Sequence, residues 1–547
     1  MKNRTKNQKE SMLKLPDSVK ILITGAIFIL ISLSVEAANY YVSLTGNDKN
    51  DGTSAETAWR TITYAATQAK AGDIISIKGG NYGHEHVVVC NSGTSSAPII
   101  FQGYCGTPVL DGIDWTGDGI YGYQKSYLHL KNLKIKNYRN GVFLDFHCDY
   151  NVLDSLVVDS CSNPDYVNYG WDGDGIQMNF TNYTVIKNCS VTDNGGNSIY
   201  LLKSNNCTIR NCKACCTQLY NNKYATDYYI VLSWSSDNLV RDCHAENLPG
   251  STKGDHGIIF KDFQSTTGIH STNNRIINCV ANNFEECFSF SHGAHHNFAD
   301  SCSGNNANKK SKFNNVLMVR DGANNNTFSN CRANGKTHVV CLYDGIEGTN
   351  PQHQDENTFI NCIFNGGTNS TYLRNSTNTT FKNCIFVNST NLFRFGKSTS
   401  GSDENSGTVL RNCILYGIRN QYETNDRAYP WTYVRDTLTK ETGYSDLDDV
   451  VITYTNFFNG FAMISGTGNI STDPLFAGTT DFHIRSQGGR WNGTTWVNDD
   501  VTSSCIDAGD PADNYSGEPC PHGNRINMGA YGNTIEASKS FGTSSFR

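Results

Sequence analysis

Short apolar phrases recur along most of the chain, and each closes on a polar corner. Tyr183-Thr184-Val185-Ile186 runs into Lys187-Asn188-Cys189, Arg275-Ile276-Ile277 into Asn278-Cys279, Asn326-Thr327-Phe328 into Ser329-Asn330-Cys331, and Asn357-Thr358-Phe359 into Ile360-Asn361-Cys362. The same corner returns as Arg210-Asn211-Cys212, Arg241-Asp242-Cys243, Asp300-Ser301-Cys302, Lys382-Asn383-Cys384 and Arg411-Asn412-Cys413. The interval is about 22 to 36 residues, which is the period of a solenoid. Each repeat reads as one coil of a parallel β-helix. The Asn side chains are expected to stack and hydrogen-bond along the axis, with each Cys pointing into the core.

A second set of phrases alternates apolar and polar residues, as one buried face requires. It comprises Gly175-Ile176-Gln177-Met178-Asn179, Ser198-Ile199-Tyr200-Leu201-Leu202-Lys203, Ile230-Val231-Leu232-Ser233-Trp234, Gly257-Ile258-Ile259-Phe260-Lys261, Phe288-Ser289-Phe290-Ser291-His292, Val316-Leu317-Met318-Val319-Arg320, Val340-Cys341-Leu342-Tyr343 and Thr371-Tyr372-Leu373-Arg374. The last residue is repeatedly polar or basic. Aligning the phrases on it places Lys203, Lys261, His292, Arg320, Tyr343 and Arg374 along one side of the solenoid.

The chain enters this repeat through Tyr40-Tyr41-Val42-Ser43, a turn-rich loop from Gly46 to Thr53, a short amphipathic helix over 59–69, and a first coil at Gly72-Asp73-Ile74-Ile75-Ser76-Ile77. A helix there covers the open end of the solenoid, where strand edges and core are otherwise exposed. The run through Gly52-Thr53, Trp59-Arg60-Thr61-Ile62, Gly72-Asp73 and Gly80-Asn81-Tyr82 resembles the opening of secreted right-handed β-helix proteins, above all the pectate lyases of polysaccharide lyase family nine. After Cys413 the period loosens. Residues 418–450 read as a long excursion, and 471–547 as C-terminal coils and a capping segment. The division is therefore a signal peptide over 1–37, a β-helix catalytic domain over 38–470 and the closing segment over 471–547.

Composition narrows the class. The 547 residues include 50 glycines, 11 prolines and 17% charged residues, with a net charge of −7. No basic run follows the N-terminus, so nucleic acid is excluded as a partner. Lys2 to Lys20 supply a basic region before the apolar run Ile21 to Leu33, and Val35-Glu36-Ala37 offers small residues for a signal peptidase. Cleavage is expected after Ala37 or Ala38. This implies a secreted or periplasmic protein, expected to be a monomer with no membrane attachment after cleavage. Among the 20 Cys, those at the repeated corner should be buried thiols. Cys505 and Cys520 lie outside the ladder and are the disulfide candidates.

A long flat sheet flanked by loops suits an extended polymer, and a basic stripe on an acidic protein favours an acidic sugar chain. Uronate polymers are cut by β-elimination. A base removes the C5 proton, the adjacent carboxylate must be neutralised, and O4 must depart. A Lys serves as the base if burial or neighbouring cations lower its pKa. Lys261, with His292 and Arg320 in the following coils, meets that need. Tyr200, Lys203, Trp234, Tyr343 and Arg374 are expected to bind neighbouring sugars.

The resemblance implies the same role. Gly257-Ile258-Ile259-Phe260-Lys261 resembles the strand of the catalytic Lys in family nine. The run from Gly254-Asp255 to Ser291-His292-Gly293 resembles the alginate and chondroitin lyases of family six. It departs from them in carrying Ser291 where they have Arg and only one acid, Asp255, ahead of the Lys. Asp172 and Asp174, with Asp193 one coil later, are candidate calcium ligands, although the second coil reads Asn194-Gly195-Gly196-Asn197 where family nine carries acids. Glu285-Glu286 are either further ligands or a solvated loop. His292, His295 and His296 form a His cluster. The expected activity is that of a polysaccharide lyase acting on pectate or alginate. The alternatives are a β-helix glycoside hydrolase, with Asp172 and Asp174 as its carboxylate pair, or a non-catalytic, adhesin-like surface β-helix.

Overall fold

The computed structural model describes residues 37–113, 115–162, 173–217, 226–249, 256–262, 270–307, 314–343, 353–395, 405–422 and 450–542. The expected signal peptide and most of the excursion before residue 450 lie outside them. The chain is a right-handed parallel β-helix. One short helix, Ile62–Gln68, precedes the coils. Its N-cap Thr61 accepts a hydrogen bond from the Tyr64 N–H at 3.1 Å, and it buries Ile62, Ala65 and Ala66.

Each coil contributes strands to three stacks. Two are short-stranded lateral stacks, exemplified by Val185–Lys187 over Thr208–Arg210 and by Ser190–Thr192 over Lys213–Cys215. They count as one 27-stranded sheet because Ile74–Gly83 and Ile99–Asp111 bend from one into the other. The third stack is a separate sheet of 13 strands, which carries the second phrase set.

The Asn-Cys corner joins the two lateral stacks. Its physical cause is backbone conformation as much as side-chain stacking. Asn188, Asn211, Asn278, Asn330, Asn361, Asn383 and Asn412 all have φ between +50° and +57°. This left-handed region is one that Asn tolerates best among residues with a Cβ. Stacking along the axis is present as well: Asn211 Nδ2 donates to Asn188 Oδ1 at 2.8 Å, and Asn278 Nδ2 to Asp242 Oδ1 at 2.7 Å. The Cys that follows turns inward. Cys189, Cys212, Cys243, Cys279, Cys302, Cys331, Cys362, Cys384 and Cys413 are all buried, and each thiol donates to the carbonyl two residues before it. Every cysteine is free. The Cys505–Cys520 pairing is therefore absent: Cys505 is buried, where Asn456 Nδ2 donates to it, while Cys520 is exposed.

A second Asn column lies entirely inside. Asn238, Asn274, Asn297, Asn326 and Asn357 are buried at the corner that leads out of the 13-stranded sheet. Asn274, Asn297, Asn326 and Asn357 each accept, through Oδ1, the backbone N–H of the counterpart one coil earlier, at 2.9–3.0 Å. The column satisfies donors that have no other partner in a dry corner. Beside it the core is aromatic, with Phe328, Phe359 and Phe381 stacked at 4.9–5.2 Å.

Residues 471–542 do not extend the two lateral stacks. They form an irregular segment, with one small antiparallel pair at Arg490–Trp491 and Trp496–Val497, that returns along the side of the solenoid. Phe482, Ile484, Ile506, Met528 and Ala530 pack on Ile363, Ile385 and Ile414. Asn361 Nδ2 donates to Ala530 O and Gly532 O, both at 2.8 Å, and Lys382 pairs with Asp513 at 2.7 Å.

Candidate active site

The 13-stranded sheet presents three outward columns. The edge column runs Asp145, Asn179, Leu202, Ser233, Lys261, Ser291, Arg320 and Tyr343, one residue per strand. Arg374 follows Leu373, the partner of Leu342, and so extends it. The central column includes Tyr200, Val231, Ile259, Ser289, Met318, Cys341, Tyr372 and Arg394. The third column is Tyr228, His256, Glu286, Asn315, His338 and Asn369.

The expected single stripe is thus two. Lys261, Arg320, Tyr343 and Arg374 share the edge column. Lys203, Trp234 and His292 fall one residue later, on the turn. The backbone N–H groups of Lys203, Trp234, Asp262, His292 and Asp321 each donate to the neighbouring edge residue's carbonyl in the next coil. Lys203, Trp234, His292 and Asp321 have φ of +49° to +57°. All eight expected catalytic and sugar-binding residues nevertheless lie on this one face or its rim.

Lys261 ends the strand His256–Lys261 and is only 7% exposed. Its ammonium sits 3.8 Å from the centre of the Tyr228 ring. Burial pushes its pKa down, Asp227 opposes that, and Arg320 adds to it; the result is about 8. The lysine is therefore poised between free base and cation near neutral pH. His256 stacks on Tyr228 at 4.3 Å and lies between two carboxylates, with Nδ1 3.6 Å from Asp227 and Nε2 3.8 Å from Glu286. Arg320 reaches Glu286 at 3.4 Å and Asp321 at 3.3 Å. Burial disfavours the Glu286 carboxylate, but Arg320 and His256 outweigh it and hold its pKa below the usual value. His292 Nε2 lies 3.5 Å from Asp321. Burial, Arg320 and Lys261 push His292 down to about 4, so it is neutral at neutral pH.

One further pair adjoins Lys261. The buried Asp262 accepts from His270 Nδ1 at 2.9 Å and from the Ser271 N–H at 2.8 Å. Gly293, with φ +90°, leaves the room: a Cβ there would meet His270 Nδ1 at 3.0 Å. His295 and His296 approach each other at 2.7 Å on the same rim. Among the described residues, no group of three or more His, Cys, Asp or Glu side chains is arranged to hold a metal ion. Asp172 and Asp255 lie outside the described residues. Asp174 Oδ1 accepts the Asn197 backbone and side-chain N–H groups at 2.7 and 2.8 Å, and Asp193 accepts both Thr217 donors at 2.7 and 2.6 Å. Those contacts order the turns that carry the two carboxylates.

Sequence reasoning missed the third column, and for a definable reason. Each strand begins with two consecutive inward residues: Tyr229-Ile230, Cys287-Phe288, Val316-Leu317 and Val339-Val340 are all core. The double step breaks strict alternation and turns Tyr228, His256 and Glu286 outward one position earlier than period two predicts. Arg394 was missed because its phrase, Asn391–Phe395, carries the cation at the central position and not at the end.

This face of the parallel β-helix sets a buried lysine among paired cations and acids. The sequence comparisons agree with the fold. Residues 40–305 match the family described as Pel9A-like, right handed beta helix region, and residues 326–509 match one described as disaggregatase related. A Bacillus subtilis (strain 168) protein, the uncharacterized protein YwoF, is 44% identical over 64 residues, and that match spans 12% of this chain and 13% of YwoF. Among solved structures, the A-module of the Azotobacter vinelandii mannuronan C-5 epimerase AlgE4 aligns at 15% identity and a TM-score of 0.42, covering 68% of this chain and 93% of the module. Pectate lyase Pel9A aligns at 15% identity and 0.35, covering 90% and 96%. A lacto-N-biosidase from Eubacterium ramulus aligns at 11% and 0.39, covering 70% and 68%.

Proposed function

We propose that this protein is an exported polysaccharide lyase that cleaves a uronate-containing chain, pectate or alginate first, by β-elimination. The observation that carries this reading is Lys261: a groove lysine held near a pKa of 8 by burial, with a fixed guanidinium two strands away. Free Lys261 Nζ takes the C5 proton. The C4–O4 bond then breaks, C4=C5 forms, and O4 leaves with a proton. Arg320 faces the substrate carboxylate and steadies the charge that builds on it. Glu286 and Asp321 hold that guanidinium in place. His292, neutral at working pH, orients O4 by hydrogen bonding. The ammonium that Lys261 has become is then the proton source for O4. Tyr200, Lys203, Trp234, Tyr343 and Arg374 contact neighbouring sugars. Calcium, if held by Asp172, Asp174 and Asp193, would add to this neutralisation, and no step here is routed through it.

The carboxylates Asp227 and Glu286 on either side of His256 support one other reading, hydrolysis by a carboxylate pair. The test is incubation with pectate, alginate and glycosaminoglycans, with calcium or with a chelator, while following the ultraviolet absorbance of unsaturated uronate. Elimination raises it, and activity that survives chelation supports neutralisation by Arg320. New reducing ends without absorbance favour hydrolysis. Neither new reducing ends nor a rise in absorbance overturns both readings in favour of a binding protein.

A further inference from the structure

The edge column changes sign along its length. Lys261 lies midway: Asp145 is four strands before it and Arg374 four strands after it. At ~4.8 Å per strand, each lies about 19 Å from the lysine's position. Toward the C-terminal coils the groove becomes cationic. Arg320 is held in position by Glu286 and Asp321. Arg374 is only 9% exposed, stacks over Tyr343 at 5.0 Å, and makes no ion pair among the described residues, with its Nε lacking a hydrogen bond. A guanidinium buried to that extent without a carboxylate is costly unless an anion completes it. Arg394 adds a further cation, over Tyr372 at 5.2 Å.

Toward the N-terminal coils the same face is aromatic. Tyr121 and Phe143 meet at 5.6 Å in the central column, and Phe146 and Phe180 at 5.8 Å on the rim. The cation there, Lys203, lies between the Phe180 and Trp234 rings at 5.2 Å from each. Asp145, in line with Lys261, presents a carboxylate that repels a uronate. Aromatic faces pack on the apolar faces of neutral sugars and need no charge to do so.

We propose that the groove reads its polymer asymmetrically. Uronates lie over the coils of Arg320, Arg374 and Arg394, and neutral sugars over the coils of Phe143, Phe146 and Phe180. Among uronate-containing chains, the preferred substrate is then a heteropolysaccharide cut at a boundary between neutral and acidic sugars, ahead of homouronates such as pectate or alginate. This rests on the lyase reading only for the location of the cut, because the asymmetry itself is a property of binding.

The test uses the full chain carrying Lys261→Ala and isothermal titration with three probes of equal length: an oligogalacturonate, a neutral galacto-oligosaccharide, and a hetero-oligosaccharide with neutral sugars at one end and galacturonates at the other. The hetero-oligosaccharide binds about tenfold or more tightly than either homopolymer. Arg374→Gln weakens the uronate and hetero probes about tenfold and spares the neutral one, whereas Phe146→Ala weakens the neutral and hetero probes and spares the uronate one. Asp145→Asn, a change on a partly exposed strand residue, strengthens homouronate binding several-fold. Raising the salt weakens only the uronate-containing probes. Equal affinity for the homouronate and hetero probes, with Asp145→Asn silent, overturns the proposal. Elimination by the unmutated protein is assayed separately, so a protein that binds asymmetrically without eliminating sinks the lyase reading and leaves this one standing.

Discussion

The corner that carries the Asn-Cys ladder and the groove on the 13-stranded sheet belong to the same coils, yet they are built on opposite rules. The corner repeats one solution: a left-handed Asn followed by an inward Cys, coil after coil. In the groove no column repeats. Its edge column passes from Asp145 through Ser233, Lys261, Ser291 and Arg320 to Arg374. The backbone register is equally strict on both sides. A solenoid can therefore hold its register with one side of each coil and vary the other freely, because each coil needs only its neighbours for support.

The comparison predicts that groove substitutions change chemistry and spare stability, while corner substitutions do the opposite. The largest effect is that of Lys261→Ala, which lowers elimination by ~10²–10⁴-fold, the usual worth of a positioned base, with an unchanged urea midpoint. A midpoint that drops with the activity would make Lys261 a structural residue. Next is pH. The base must lose its proton, so kcat/KM rises about tenfold per pH unit up to about 8 and flattens above. His292→Gln leaves that limb where it is, since His292 titrates near 4; a limb that moves with this variant would transfer the base role to His292.

On the opposite side, Asn297→Ala strands the buried Asn274 N–H and costs roughly 1–3 kcal/mol. Its urea midpoint falls while activity per folded molecule holds. Cys331→Ser keeps a donor for Ser329 O and costs about 1 kcal/mol or less. The smallest signal is a negative one. A thiol reagent under native conditions modifies the exposed Cys90, Cys105 and Cys520 and leaves the ladder untouched. Modification of Cys279 or Cys331 before unfolding would mean that the corner opens more readily than its burial implies.

The same contrast explains how much was legible in the sequence. The corner could be read directly, because repetition of Asn-Cys announces both the period and the inward Cys. The groove could be read only through that ruler. Lys261, Arg320, Tyr343 and Arg374 were placed together correctly. Lys203 and His292 were misplaced by one residue because their phrases include the left-handed turn residue, and a period of two does not distinguish the last strand residue from the first turn residue. Tyr228 and His256 were hidden by the double inward step at the start of each strand, and Glu286, read as a ligand or part of a solvated loop, is a buried residue of the strand Glu286–Ser291. Asp227 sits just before the strand Tyr228–Ser233, where turn-forming Asp is common, so no signal set it apart. Arg374 was visible as a basic strand end, but that it is buried without an internal carboxylate follows only from packing.

The segment that folds back along the solenoid affects more than the face it covers. Stacked coils held only by their neighbours come apart piecemeal, one end at a time. Here Tyr531 accepts from Arg332 across 199 residues of sequence, Gly532 and Ala530 hold Asn361, Asn527 holds Asn383, and Asp513 takes Lys382, Arg411 and Asn412. These long-range ties run across several successive coils and bind them into one cooperative block. Closing so long a loop is slow. The segment thus acts as a late latch: the coils it ties together stay pliable until it docks, and then lose that freedom together.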